Sequence, residues 1–448
     1  MKMKSAKSMT LKLKGLVTLI ALAMLSAAPA PEEKVPELGP RSSLNDYLAY
    51  AAINNPGLES QWNSWKAAMQ KVHQVDVLPD PLLKYGYYIQ EVETRVGPQQ
   101  QRFGLYQSFP WFGTLSSRGD AAYQMAMVEK ARYEAKKQGL FYRVKHAYYD
   151  YWFLGRQIAV TEEHFQLMNS LEAVARARYK TGQASNTDLV KAQVELGKLE
   201  DRLIELRDRE RVLAARLNAA LGREPGAELN FPRRLDRTVI GMDETEMKEA
   251  LAQRNPELVA IRHMAEAETA KIELSRKDYY PDFTLGVEYI QTGESDMDVD
   301  DNGKDPVIAA ASVSLPIWRN KYDAAKEEAE FAYEAAVSGL GDRRNELLAD
   351  LEAALFGLRD AERKIDLYEN GLIPKASQAL SVARKAFTAE RAGFLDVIDA
   401  ERTLLNFDLE YEKARADRER EAARIDYLTG GAITGFSVDD NGGSENGN

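Results

Sequence analysis

The sequence predicts a mainly helical, internally doubled chain with four short β-strands set between long coiled-coil helices. Three observations carry this fold class. Local motifs recur at a nearly constant offset, apolar residues step alternately three and four apart over many turns, and four stretches alternate apolar with small or polar positions.

The doubling is explicit. Asn55-Pro56-Gly57-Leu58 returns 200 residues later as Asn255-Pro256-Glu257-Leu258, Leu78-Pro79-Asp80 as Tyr280-Pro281-Asp282, and Phe109-Pro110-Trp111 as Leu315-Pro316-Ile317. Tyr179 through Asp188-Leu189-Val190 returns as Phe387 through Asp396-Val397-Ile398 at an offset of 208, and Leu221-Gly222 echoes Thr429-Gly430. The first repeat then spans 43–222, a linker 223–243, and the second repeat 244–430. Each repeat runs from a broken helix through a strand pair (81–110 and 283–316) to a long helical hairpin.

The hairpins carry heptad seams: Leu140 to Met168 and Leu189 to Ala220 in the first, Leu347 to Leu372 and Val397 to Ala414 in the second. Steps of three and four sustained this long mean coiled-coil packing. Segments 118–178 and 320–388 contain one interior proline, Pro374. Each could reach about 90–100 Å. Pro374 should kink its helix, because it lacks an N–H and crowds the preceding turn. Taken alone, the seams fit a cytosolic coiled-coil rod equally well.

The strands decide the class. Leu83, Tyr85, Tyr87 and Ile89 oppose Lys84, Gly86 and Gln90; Phe103, Leu105 and Phe109 oppose Arg102, Gly104 and Ser108. Phe283, Leu285, Val287 and Tyr289 oppose Thr284, Gly286 and Glu288; Val307 to Leu315 at odd positions oppose Ser312 and Ser314. Each is about ten residues long, enough for a tilted strand to cross a hydrocarbon core, with lipid on one face and water on the other. Two amphipathic hairpins packed on the helices are the alternative. In lipid, four strands cannot close, and open edges strand polar backbone in hydrocarbon. Several copies must therefore share one barrel. Three copies supply twelve strands, whereas the eight from two copies leave no water channel.

Composition excludes other classes. The 448 residues include no Cys, which rules out disulfides, thiol chemistry, thiolate metal sites and a lipid-modified N-terminal Cys. A net charge of −11 opposes nucleic-acid binding. His73, His146, His164 and His263 have no ligand spacing, and no nucleophile motif, phosphate loop or paired-carboxylate cleft is visible. No catalytic residue, cofactor or metal is therefore assigned. Residues 1–30 read as a secretory signal peptide, with a lysine-rich start, an apolar run from Gly15 to Leu25 and small residues after it. Residues 431–448 read as a disordered tail. The acidic loop 296–303 resembles a calcium loop only superficially. Asp301 stands where the glycine should be and Val307 where the glutamate should be, so it reads as a solvated external loop. Charge runs such as 200–211 read as solvated helix faces.

With these elements in place, the doubled layout resembles the TolC-type outer membrane efflux proteins (outer membrane factors) over roughly residues 43–430. The motifs that carry the likeness are Leu78-Pro79-Asp80-Pro81, Gln107-Ser108-Phe109-Pro110-Trp111-Phe112-Gly113, Gly371-Leu372-Ile373-Pro374 and Leu395-Asp396-Val397-Ile398-Asp399-Ala400. The resemblance implies a homotrimer with a shared twelve-stranded barrel in outer membrane lipid and an α-barrel tunnel through the periplasm. Its partners would be a periplasmic adaptor (membrane fusion) protein and an inner-membrane pump, and it would conduct passively, without catalysis. It also implies a tunnel entrance at the turns 181–187 and 389–394. Asp396 and Asp399 would form stacked carboxylate rings there, with helix capping as the alternative, and Asp188 is a further acid for which capping is the favoured reading. Tyr179 and Phe387 would pack near the tips, with Gly182 and Gly393 in the turns. The second turn departs from the family pattern, having Glu390 where the first has Gly182 and its glycine later, at Gly393. The 109–113 stretch resembles the heavy-metal branch more than the drug branch. The rival reading is a periplasmic coiled-coil adaptor or scaffold without a pore.

Overall fold

The computed structural model describes residues 38–39, 41–183, 185–389 and 391–432, together with the backbone of 436–437. The signal-peptide reading, Glu390 and nearly all of the tail lie outside the described residues.

The first repeat comprises α1 (Leu44–Asn54), α2 (Pro56–Val75), β1 (Leu82–Val92), β2 (Gln99–Phe109), α3 (Thr114–Lys180) and α4 (Asn186–Leu221). After a short strand β3 (Arg237–Thr238), the order recurs as α5 (Glu244–Arg254), α6 (Pro256–Lys277), β4 (Phe283–Thr292) and β5 (Val307–Val313). The second hairpin follows as α7 (Arg319–Asp366), a π-helical stretch (Leu367–Leu372), α8 (Ile373–Thr388) and α9 (Phe394–Leu428), and β6 (Phe436–Ser437) pairs with β3.

The repeated Asn-Pro motifs are helix joints. Asn55 and Asn255 each end one helix and cap the next, with proline at its first turn. The Asn55 side chain accepts from the N–H groups of Gly57 and Leu58 and donates to the Ala220 carbonyl at 3.2 Å. Asn255 repeats this with Glu257, Leu258 and the Leu428 carbonyl at 3.0 Å. Each asparagine thus ties the start of its repeat to the end of the same repeat's hairpin. Gly222 and Gly430 complete the joints in left-handed conformations, where a Cβ would stand 2.7 Å from the Asn54 carbonyl oxygen and 2.6 Å from that of Arg254.

α3 is 67 residues long and continuous, about 100 Å from end to end. In its counterpart, Pro374 is answered by six residues of π-helix just before it, which widen the turn the ring would otherwise crowd. The seam residues Leu140, Val144, Tyr151, Leu154 and Met168 are buried, as are Leu199, Leu203, Leu206, Leu213 and Leu217 opposite them.

The strands form one antiparallel sheet in the order β1-β2-β4-β5. Its register aligns the rows Leu83–Leu105–Val287–Ala309 and Tyr85–Phe103–Tyr289–Val307 on one face. Among the described residues nothing covers that face, and Ile89 is 93% exposed. The other face carries Lys84, Arg102, Tyr106, Ser108, Thr284 and Glu288. The fourth strand stops at Val313 rather than Leu315, two residues short, ahead of Pro316, which cannot extend a ladder. Where the sheet meets the helices, Trp111 stacks on Tyr280 with ring centroids 4.8 Å apart, beside the exposed Phe112 and Trp318. Among the described residues, no helix is long and apolar enough to cross a membrane.

Candidate functional site at the hairpin tips

Both hairpins turn by the same device. At the end of α3, the Gly182 N–H donates to the Tyr179 carbonyl at 3.0 Å and the Gln183 N–H reaches back to Arg178 at 2.8 Å. Gly182 takes φ +77°, the left-handed conformation this closure requires. In the second turn, the Arg391 N–H closes on the Ala386 carbonyl at 2.8 Å, the equivalent bond 208 residues on. Gly393 is extended (φ −76°, ψ 161°) and caps α9 in the place that Ser185 takes before α4. The late glycine of the second turn is therefore the cap residue, not the counterpart of Gly182.

Asp188 and Asp396 occupy equivalent places in the first turns of α4 and α9. Asp188 accepts from the Ser185 hydroxyl at 2.8 Å, and the Ser185 oxygen accepts the Asp188 N–H at 3.2 Å. Asp396 accepts the Gly393 N–H at 3.0 Å. Both are thus capping residues, and Asp396 is also exposed. Asp399, one turn further along α9, has a 72% exposed side chain and lies 3.8 Å from Arg402. The structure places Asp396 and Asp399 together near the second tip, and Asp188 on the other hairpin.

The two aromatics differ. Phe387 is 5% exposed, packs against Phe394 at 5.2 Å, and lies under the Arg178 guanidinium, which also donates to the Phe387 carbonyl. This contact joins the hairpins within one chain. Tyr179, its repeat mate, is 44% exposed.

Above the tips, α9 meets α3 through a seam of buried charge. The His164 ring sits between Glu401, 2.9 Å from Nδ1, and Asp408, 3.1 Å from Nε2. Burial pulls the imidazole's pKa down, but hydrogen bonds and charge from Asp408 and Glu401 outweigh it and raise the value to about 9. Arg156 pairs with Glu412 at 2.7 Å, Arg420 with Asp150 at 2.7 Å and Lys145 with Asp426 at 2.6 Å. On the neighbouring α4, Glu195 takes a two-pronged bond from Arg402 of α9, which holds its carboxyl below the usual range.

Comparison with known proteins decides the family. The profile of the outer membrane efflux protein family matches residues 49–223 and again 248–431. The chain belongs to that family. The cobalt-zinc-cadmium resistance protein CzcC of Cupriavidus metallidurans is 22% identical over 392 residues, spanning 87% of this chain and 90% of that protein. The outer membrane protein TolC of Vibrio cholerae is 26% identical over 328 residues, spanning 70% of this chain and 71% of its own. Among solved structures, CusC superposes with a TM-score of 0.75 at 17% identity, covering 91% of this chain and 98% of its own. The outer membrane protein VceC of Vibrio cholerae gives 0.71 at 18% identity, covering 87% and 97%.

As a member of the outer membrane efflux family, the chain is an outer membrane channel of efflux or secretion type, with its hairpins in a periplasmic tunnel. What sequence reading missed in this family member is the ionic seam. In the sequence His164 is one of four histidines without ligand spacing. The available signal was Glu401 and Asp408, two acids one heptad apart on α9. Among the described residues, no group of three or more His, Asp or Glu side chains is arranged to hold a metal ion.

Proposed function

We propose that three copies of this chain close a shared twelve-stranded barrel and a helical tunnel, forming the outer duct of a tripartite exporter. The observation that carries this reading is the sheet itself. One of its faces is a continuous exposed apolar surface, and among the described residues its edge strands β1 and β5 each have a single neighbour. In a bilayer, unpaired edges would leave polar groups unsatisfied at a cost of about several kcal/mol each, which neighbouring copies remove by pairing. The exposed apolar side chains Val194, Ile204 and Val212 on α4, and Phe356 and Val382 on α7–α8, supply surface for the adjoining subunits.

In that assembly Asp396 and Asp399 form two acidic rings at the periplasmic entrance, which favour cations. Opening requires the hairpins to move apart at the tips, under bias from an adaptor protein and an inner-membrane pump. The likeness to a cobalt-zinc-cadmium resistance protein supports metal cations as cargo.

Detergent extraction and planar bilayers test the reading. The expected result is a heat-modifiable, detergent-dependent trimer whose conductance is blocked by multivalent cations, with block relieved in Asp396→Ala/Asp399→Ala. Release by osmotic shock as a water-soluble protein would instead favour a pore-less scaffold, and unchanged block would remove the two aspartates from the entrance.

A further inference from the structure

The face of the sheet opposite the apolar one has an electrostatic character unlike the rest of this acidic chain. Its rows run Lys84–Gly104–Glu288–Ile308 and Gly86–Arg102–Ile290, with Tyr106–Gly286–Ala310 beside them. Glu288 is the one carboxylate on these rows, and it is spent internally. Its side chain is 5% exposed and paired to Arg102, whose own side chain is 49% exposed. Lys84 is exposed, with its ammonium 4.5 Å from the centre of the Tyr106 ring. The Tyr106 ring in turn lies so flat against the strands that a Cβ on Gly286 would be 2.4 Å from it, and one on Gly104 2.8 Å. The two glycines therefore make room for an aromatic platform that carries the lysine. These rows hold two cations against one buried anion, whereas the whole chain carries −11.

We infer that Lys84 and Arg102 form a cationic, anion-selective band on the inner wall of the barrel, recognising small multivalent inorganic anions. The inference rests on the trimeric duct reading, in which this face lines water. Three copies of the band then surround one lumen, and low-dielectric walls focus their field. The duct so built is acidic at its periplasmic entrance and in the 294–305 loop, where Asp296, Asp298, Asp300 and Asp301 cluster, and basic between them. A cation drawn in at the entrance next meets the net positive rows of the barrel wall, so it does not dwell there.

The test uses the full chain in planar bilayers under a KCl gradient, with hexacyanoferrate(II) added from the loop side to bypass the entrance aspartates. Wild type is expected to show voltage-dependent block by the anion. Lys84→Glu should abolish that block and lower the chloride-to-potassium permeability ratio by about 2–5-fold. Lys84→Gln should do the same more weakly, and serves alone if the charge reversal does not assemble. Arg102→Gln combined with Glu288→Gln, which leaves the net charge unchanged and orphans no buried carboxylate, should have the smallest effect. Channels of Lys84→Glu or Lys84→Gln with wild-type block and permeability ratio overturn the band while leaving the duct intact. A wild-type chain that forms no channel overturns the duct and the band together.

Discussion

Helix α9 has two packing faces that differ in how deeply their charge is buried. Toward α7, its Ala422, Ile425 and Leu428 join one apolar cluster with Leu347, Leu351 and Leu358. Toward α3, Val397, Ile398 and Leu405 join an apolar cluster with Val160, Met168 and Leu171, and beside it the buried carboxylates Glu401, Glu412 and Asp426 pair with His164, Arg156 and Lys145. The first face is a close-packed apolar contact whose ion pairs, Arg418–Glu362 and Arg424–Asp350, have carboxylates 41% and 47% exposed. The second depends on matched charges as well as on its apolar cluster, because a buried ion without its partner is strongly destabilising. The contrast implies that the α3–α9 contact between hairpins is the more sensitive of the two to pH.

Breaking the apolar face should have the largest effect. Leu351 is fully buried, and Leu351→Ala should destabilise the chain by about 3–5 kcal/mol, read as a lowering of the denaturant midpoint from wild type whose size does not vary with pH. The charged face should respond to pH instead. The His164 pKa is raised from 6.5 to about 9, so its stabilising contribution is complete below pH 6.5 and is lost as the pH rises through 9. The expected loss is about 2–3 kcal/mol across that window, and His164→Leu should flatten it. A stability profile between pH 6.5 and 10 that is the same in wild type and His164→Leu would show that the imidazolium does not hold the hairpins.

A smaller effect separates the joints from both faces. Asn255→Ala removes a cap and a tie to the Leu428 carbonyl and should cost about 1–2 kcal/mol, with Asn55→Ala costing a similar amount because the joint is duplicated. A loss confined to one of the two variants would show that the repeats do not share the load. The smallest change in stability belongs to Asp399→Ala. Removing its exposed carboxylate should alter ion block while changing the unfolding free energy by less than about 0.5 kcal/mol.

These contrasts also explain what was legible in the sequence. The apolar seams, the alternation in the strands and the Asn-Pro joints could be read because each is a spacing of like residues that one kind of packing demands. The ionic seam could not. Glu401, Glu412 and His164 look like the solvated charges of 200–211 until a partner helix is placed against them, and partner helices come from residues more than 200 positions away. Pro374 was legible as an interruption, but its form was not. A kink and a π-helical stretch both relieve the same crowded turn, and here the stretch 367–372 is π-helical, with Tyr368 packed on Phe407 at 5.7 Å. At the tips, the capping part of Asp188 and Asp396 followed from sequence. The inequality of Tyr179 and Phe387 did not, because it depends on Arg178 reaching across to the second hairpin.

The central claim is that one face of the sheet meets acyl chains and the other meets water. The chain contains no cysteine, so single cysteines can be placed without background. Leu105→Cys and Val287→Cys should be shielded from a membrane-impermeant, water-soluble maleimide in reconstituted vesicles, while Ser108→Cys and Ser312→Cys should be labelled from the lumen. Labelling of Leu105→Cys and Val287→Cys as fast as that of Ser108→Cys and Ser312→Cys would contradict it.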